Sequence, residues 1–243
     1  MRFILSLLLL TASAHAADLL VAAAADLSSL QIPLQQAFQR LTGQRVRITL
    51  GSSGNLAHQI ENGAPYDVFL SANEGYVNEL DAAGKLEPGT ARVYALGRIA
   101  LWSKSGAFRT MDALTQPSIL HIAIANPKFA PYGVAAEQAL RKQGLLPKLQ
   151  PKLVYGENVR QALQFAESGN ADVAIVAYSL VYNRGGILLP ADWHAPIRQS
   201  CAVIKGSAQT ALARQFIEFL SSPAGSKLLE SHGLTSTGSA PTH

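Results

Sequence analysis

Small and polar residues occupy four places where a predicted strand is followed by a predicted helix. The four stretches are AAAADL at 22–27, GSSGN at 51–55, NPKFAPYGVA at 126–135 and GENVRQA at 156–162. A helix that begins in such a stretch exposes free backbone N–H groups and the positive end of its dipole, and both features suit a bound anion. Ordinary helix capping also explains each stretch taken singly. The residues alone therefore leave both interpretations open.

Catalytic and metal-binding patterns are weak in this chain. Ser53 and His58 are five residues apart, which places them on different sides of a helix, and no third partner for a nucleophilic serine is indicated. The six histidines have no metal-ligand spacing. Cys201, the single cysteine, lies in an apolar segment typical of a buried and inert thiol. We expect no catalytic residue, no metal and no cofactor, with a periplasmic serine hydrolase that uses Ser53 as an alternative.

Apolar segments of strand length alternate along the chain with segments of helical period. Strands are predicted at 18–24, 45–50, 67–71, 98–103, 121–125, 152–155, 173–177 and 198–204. Helices are predicted at 27–42, 55–62, 75–83, 133–143, 158–168, 209–220 and 224–232. This order predicts an α/β fold with helices on the faces of parallel sheets. Such sheets bind ligands at the carboxyl ends of their strands, so two facing lobes would form a binding cleft. The expected crossings between lobes are 95–98 and 195–198.

The first sixteen residues, MRFILSLLLLTASAHA, have the pattern of a signal peptide. Arg2 supplies the positive end, a short apolar run follows, and Ala14-His15-Ala16 is a small-x-small cleavage signal. We therefore expect an exported, periplasmic protein that is cleaved near Ala16. No later apolar stretch approaches the roughly 20 residues of a membrane span. The net charge of +4 is small and unclustered, which argues against a nucleic-acid partner.

A series of phrases resembles a known family over the whole chain after the signal peptide. They are VAAAADL, GSSGNLAHQIENGAPYDVFLSA, YALGRIALWS, IANPKFAPYGVAAEQAL, PKLVYGENVRQA, GNADVAIVA and PIRQSCAVI. Together they are similar to the ModA family, the periplasmic molybdate-binding proteins of the molybdate ABC importer. The resemblance implies a two-lobed type II periplasmic binding protein fold that closes on a tetrahedral oxyanion. It also implies delivery of the ligand to a membrane ABC permease and its ATPase.

The resemblance divides the chain and assigns its ligand. Lobe I would comprise 17–96 and a return segment at 197–234, lobe II would comprise 97–196, and 235–243 would be a flexible tail. We expect a monomer that binds molybdate and also tungstate. Sulfate, another oxyanion, or a hydroxyl- or amine-bearing solute are the alternatives.

The resemblance implies that five residues bind the ligand. Ala25 and Asp26 follow the first strand and would contribute backbone N–H groups, Ser53 would donate its hydroxyl and N–H, Tyr132 its N–H or phenol, and Val159 its N–H. Some relatives have a further tyrosine where this chain has Ala177, and Tyr132 would replace its phenol from the opposite side.

Asp26 departs from the family pattern, because relatives carry serine or asparagine at this position. A carboxylate beside a dianion would be repelled. The first explanation is that Asp26 turns away and caps its own helix by accepting from the N–H of Ser28 or Ser29. The second is that Asp26 is protonated and donates to the oxyanion, and the third is that the ligand is not molybdate. Arg160 could also offset the charge.

Overall fold

Two β-sheets covered by helices make up the computed structural model, which describes residues 17–237. The expected signal peptide at 1–16 lies outside the described residues, as does the segment 238–243. The strands are β1 (Leu19–Ala24), β2 (Val46–Gly51), β3 (Val68–Ser71), β4 (Arg92–Gly97), β5 (Ile99–Trp102), β6 (Ile122–Ala125), β7 (Leu153–Gly156), β8 (Val173–Ala177), β9 (Ile187–Leu188), β10 (Ile197–Val203) and β11 (Thr235–Ser236).

The helices follow the strands in the alternation that the sequence predicts. The α-helices are α1 (Gln31–Thr42), α2 (Ser53–Glu61), α3 (Glu74–Ala82), α4 (Pro131–Lys142), α5 (Leu146–Leu149), α6 (Val159–Ser168), α7 (Tyr178–Val181), α8 (Thr210–Ser221) and α9 (Pro223–Glu230). Short 3₁₀ helices lie at Ala25–Ser29, Asp112–Thr115, Gln150–Lys152 and Ala191–Trp193. No helix within 17–237 is long and apolar enough to cross a membrane.

The first sheet has the strand order β11-β4-β10-β3-β1-β2 and forms the core of lobe I. β1 lies between β2 and β3 and is parallel to both. Five of its six residues are buried, because helices cover both faces of the sheet. On one face Phe38 of α1 packs edge-on against Phe216 of α8, with ring centroids 5.0 Å apart. On the other face α2 and α3 bury a smaller apolar cluster that includes Leu56 and Val77.

The second sheet has the order β7-β6-β8-β5-β9 and forms the core of lobe II. β6 lies between β7 and β8, parallel to both, and every residue of its sequence IAIA is buried. A four-residue apolar strand of this kind is typical of a sheet that is covered on both faces. The α4 and α6 helices bury small side chains against it, among them Ala136 and Ala162. The two-lobed α/β fold that the sequence predicts is thus present.

The two lobes are joined by very short crossings. Only Arg98 separates the end of β4 in lobe I from the start of β5 in lobe II. The chain returns to lobe I as it enters β10 at Ile197. The expected lobe boundaries at 96/97 and 196/197 lie beside these two points. The sequence pattern does not predict β4, however. It predicts a crossing at 95–98, whereas 92–97 forms a strand that pairs antiparallel with β10.

Two further expectations about element ends were wrong. The helix predicted at 27–42 is divided at Leu30 into a 3₁₀ helix and α1, so that Pro33 falls in the first turn of α1, where a proline is tolerated. The segment expected to be a flexible tail begins with β11. Thr235 pairs with Leu96 and Ser236 pairs with Ala95, which gives β4 a hydrogen-bonded neighbour on its outer side.

We predict that Gly133→Ala destabilises the protein by about 1 to 3 kcal/mol through overpacking. A methyl group at this position in the first turn of α4 would overlap the carbonyl oxygen of Ala125 and lie 2.9 Å from the nitrogen of Pro127. Urea unfolding measures the change. Gly75→Ala in the first turn of α3 is the matched control, because its new methyl group would meet only the Asn73 side chain at 3.1 Å. Equal stability of the two variants would contradict the close packing of α4 on β6.

Candidate anion-binding site

The four strand-to-helix junctions converge on one cavity between the lobes. The junctions after β1 and β2 approach it from lobe I, and those before α4 and α6 approach it from lobe II. The space between the atoms of these junctions, counted together with the open solvent at its mouth, is about 190 Å³. All five residues expected at the site line it, namely Ala25, Asp26, Ser53, Tyr132 and Val159. The structure thus brings together residues that lie up to 134 positions apart in the chain.

Backbone N–H groups at the helix N-termini line this cavity. Ser53 and Val159 are the first residues of α2 and α6, and Tyr132 is the second residue of α4 after Pro131. First-turn N–H groups have no acceptor within their own helix. Within residues 17–237 these three N–H groups also have no backbone acceptor elsewhere. They are therefore available to an anion in the cavity, where the dipoles of three helices of nine or more residues favour negative charge.

Two adjacent hydroxyl groups strengthen the donor set. The Ser53 hydroxyl accepts the N–H of Ala72 at 3.0 Å, which leaves its own proton free to donate. The Ser52 hydroxyl is buried at the cavity and has no partner among the described residues. A buried hydroxyl without a partner costs free energy, and a bound acceptor would remove that cost. Ser52 is therefore a candidate donor equal to Ser53.

Gly54 allows the two lobes to touch beside the cavity. Its N–H donates to the carbonyl oxygen of Phe129 at 2.9 Å, across the interface between lobes. A methyl group at Gly54 would lie 2.8 Å from the Tyr76 hydroxyl and 2.9 Å from the Phe129 carbonyl oxygen, so a side chain here would force the lobes apart. Asn55 adds a second contact, because its amide donates to Glu157 at 3.2 Å. Gly54, the second glycine of GSSG, thus allows the backbones of the two lobes to come close together.

Asp26 does not cap its own helix, and that expectation was wrong. The N-cap position of the 3₁₀ helix is Ala24, so Asp26 lies inside the turn, and no side-chain hydrogen bond caps this helix. Its Oδ2 atom accepts hydrogen bonds from the Tyr132 hydroxyl at 3.0 Å and from the Gln199 amide at 2.5 Å. Its Oδ1 atom is buried and has no partner among the described residues. Asp26 is 0 % exposed and lines the cavity.

Gln199 and Tyr94 complete this network, and sequence reasoning missed both. The Gln199 amide nitrogen also donates to the Tyr132 hydroxyl at 3.0 Å, and its oxygen accepts from the Tyr94 hydroxyl at 3.2 Å. A methyl group at Gly97 would overlap the Tyr132 hydroxyl, so the network requires glycine at the crossing. The available signal was a glutamine within the otherwise buried strand IRQSCAV, because a buried amide needs partners.

Comparison with known proteins shows the family of this chain. A family model described as bacterial extracellular solute-binding protein matches residues 19–235. The chain belongs to this family. It is 36% identical over 225 residues to the molybdate-binding protein ModA of Rhodobacter capsulatus, covering 90% of this chain and 89% of that protein. It is also 36% identical to ModA of Azotobacter vinelandii over 233 residues, covering 93% of this chain and 92% of that protein.

A solved structure supports the same assignment. The periplasmic molybdate-binding protein of Azotobacter vinelandii superposes with a TM-score of 0.86 at 34% sequence identity, covering 93% of this chain and all of that one. The two-lobed type II fold is therefore shared. The chain is a solute-binding protein and not an enzyme. The Ser53 hydroxyl accepts the Ala72 N–H, and the ring of His58 contacts the Asn62 amide, so these two side chains are not hydrogen-bonded to each other.

Burial controls the protonation of the network in this solute-binding protein. Desolvation raises the pKa of Asp26 to about 7, and the hydrogen bonds from Tyr132 and Gln199 lower it only in part. Burial and the nearby Asp26 charge also raise the pKa of the Tyr132 hydroxyl well above its usual range, and the same causes act on the pKa of Tyr94. Both phenols therefore stay protonated and act as donors, whereas the carboxyl is neutral in mildly acidic solution.

Within residues 17–237 no cationic side chain forms an ion pair with Asp26. Arg160, the residue considered for this role, forms an ion pair with Glu167 at 2.7 Å instead. A carboxylate about 4 Å from a bound dianion would be repelled by about 2 kcal/mol in water and by about 8 kcal/mol at an effective dielectric constant of about 20. An ionised Asp26 would therefore disfavour a dianion in this cavity, whereas a neutral Asp26 would not.

We predict that Asp26→Asn stabilises the ligand-free protein at pH 8 by about 2 to 4 kcal/mol. The pKa of Asp26 is raised from 3.8 to about 7 on folding, so the stability associated with its neutral form is complete below pH 4 and is lost as the pH rises through 7. Asparagine stays neutral throughout. Chemical unfolding of both proteins at pH 8 and pH 4 measures the difference, which should vanish at pH 4. A gain that is the same at both pH values would contradict the raised pKa.

Proposed function

We propose that this protein captures molybdate in the periplasm and delivers it to an ABC permease. The observation that carries the proposal is the convergence of helix N-termini and serine hydroxyls on one cavity between the lobes, in which no ion pair links Asp26 or Arg160 to a cation or anion of the site among the described residues. Such a donor set suits a fully ionised oxyanion, whose charge is stabilised by N–H and O–H dipoles. The names of the two relatives that are 36% identical support molybdate as that oxyanion.

In the proposed mechanism the ligand first meets one lobe and the second lobe then closes on it. Lobe I would offer the N–H of Ala25 and the N–H and hydroxyl of Ser53, and lobe II would add the N–H groups of Tyr132 and Val159. Closure would form the contact between Gly54 and Phe129 and exclude water from the anion. Water exclusion strengthens the hydrogen bonds, because the local dielectric constant falls.

Cellular context follows from the same proposal. Residues 1–16 would be removed as a signal peptide, and the mature chain would act as a monomer in the periplasm. The lobes would comprise 17–96 with 197–234, and 97–196. The closed form would dock on a membrane permease driven by its ATPase. Tungstate, which has the same shape and charge as molybdate, would be a second ligand, and the protein would need no cofactor.

A second candidate ligand follows from Asp26. Its unpartnered Oδ1 atom could accept a hydrogen bond from a hydroxyl- or amine-bearing solute, which the ionised carboxyl would bind better than a dianion. Sulfate would compete with molybdate on charge and shape, so discrimination between these two anions would rest on the size of the cavity.

We predict that Ser52→Ala weakens molybdate binding by about 10- to 100-fold, the expected loss of one hydrogen bond to a charged group. The variant should keep its stability, because the Ser52 hydroxyl has no partner among the described residues. Isothermal titration calorimetry with molybdate, sulfate and phosphate gives the affinities. Ser168→Ala, at the exposed end of α6, is the matched control and should bind as the unsubstituted protein does.

The two parts of this test fail differently. Absence of heat with molybdate in the unsubstituted protein would contradict the proposed function. Unchanged molybdate affinity in Ser52→Ala would contradict only the role of Ser52 as a donor.

A further inference from the structure

We propose that Asp26 binds the oxyanion as a neutral acid, so that one proton is bound together with the ligand and lies between Asp26 Oδ1 and a ligand oxygen. The proposal rests on the proposed function and adds a residue that determines which ligands the site accepts. The carboxyl would supply an O–H donor in the same cavity as the N–H groups and serine hydroxyls. Binding would then be coupled to proton uptake.

The hydrogen-bond network assigns the proton to Oδ1. Oδ2 already accepts from the Tyr132 hydroxyl and the Gln199 amide, so a proton on Oδ2 would displace one of these donors. Oδ1 is buried and has no partner among the described residues, although Asp26 lines the cavity. A buried oxygen of this kind is satisfied when it shares a hydrogen with a ligand oxygen. Two ionised oxygens could not do so, because neither supplies the hydrogen.

Hydrogen bonds among the surrounding side chains fix which atom donates at each contact with Asp26. Tyr94 donates to the Gln199 oxygen, which directs the Gln199 amide nitrogen towards Asp26 and Tyr132. The Tyr132 hydroxyl accepts from that nitrogen and therefore gives its own hydrogen to Asp26. Every neighbour of Oδ2 is thus a donor. The carboxyl can pass its proton only towards the cavity.

The charged groups near Asp26 form no ion pair with it among the described residues, so its protonation depends on burial and on the ligand. The titratable or charged groups on the elements that pack against Asp26 or its 3₁₀ helix are Tyr178 of α7, Arg160 and Glu167 of α6, Arg40 of α1, Arg47 of β2, Tyr132, Glu137, Arg141 and Lys142 of α4, Arg92 and Tyr94 of β4, and Arg198 and Cys201 of β10. Among the described residues none forms an ion pair with Asp26. Several arginines pair elsewhere, with Glu167, Asp18 and Glu74. Burial raises the pKa of the Cys201 thiol to about 12, which keeps that group neutral.

Proton linkage gives the expected pH profile. The pKa of Asp26 is about 7 where the two lobes meet around it, and a dianion beside it would raise the value further. At every pH above the pKa of Asp26 in the free protein each ligand must take up one proton, which lowers the affinity about tenfold for each pH unit.

The test is isothermal titration calorimetry with sodium molybdate at several pH values between 6 and 9. The protein used is the full chain without its expected signal peptide, residues 1–16. The unsubstituted protein should lose about tenfold in affinity between pH 8 and pH 9 and take up about one proton per molybdate. Proton uptake is measured at pH 8.5 in two buffers that differ in ionisation enthalpy. Asp26→Asn, whose amide is a permanent donor, should bind with no pH dependence and no proton uptake, and should exceed the unsubstituted protein at pH 9. Ser52→Ala should bind molybdate more weakly at every pH, but its affinity should fall with pH as steeply as that of the unsubstituted protein.

Each contrary outcome has its own meaning. Tight molybdate binding that is constant from pH 6 to pH 9, without proton uptake, would overturn this inference and leave the proposed function standing. If the molybdate affinity of Asp26→Asn still falls with pH, another group takes up the proton, and this result would also overturn the inference. Absence of molybdate binding at every pH would overturn both. Proton uptake by the unsubstituted protein requires no variant, so the inference can be refuted even if Asp26→Asn fails to fold.

Discussion

The hydrogen bond from Tyr132 to Asp26 joins the two lobes at the cavity, and much of the site depends on it. It connects the first turn of α4 in lobe II with the 3₁₀ helix that follows β1 in lobe I. Gln199 contributes to the same junction from β10, the strand through which the chain returns to lobe I. Because all three side chains are buried, none of them can exchange its partner for water, and the contact sets how the lobes meet.

The donors that line the cavity in the described part of the chain are neutral N–H and hydroxyl groups. A cation in the cavity would hold an anion strongly and would hinder its release, whereas neutral donors offer charge stabilisation that is complete only when both lobes contribute. Ser53 comes from lobe I, and Tyr132 and Val159 come from lobe II, so an open form would present only part of the set. In the proposed function this division would couple ligand binding to closure, and a carrier that must later release its cargo needs that coupling.

Much of the fold could be predicted from local patterns, because apolar strands such as IAIA and the small residues at helix starts depend on short-range rules. The five expected site residues came from the family resemblance, and all of them line one cavity. The errors arose where tertiary contacts decide. β4 was missed because its pairing with β10 joins segments about 100 positions apart, and the expected cap of Asp26 failed because Tyr132 and Gln199 offer stronger partners than the local N–H groups.

The class of fold, the family resemblance and the residues at the four junctions could all be inferred from the chain alone, because strand and helix periodicity and helix-start chemistry depend on neighbouring residues. The protonation of Asp26 depends instead on tertiary contacts. A carboxyl acquires a pKa near 7 through burial among Tyr132, Gln199 and the cavity walls, which come from distant parts of the chain. Desolvation depends on the three-dimensional surroundings of a group, and no spacing along the sequence expresses it.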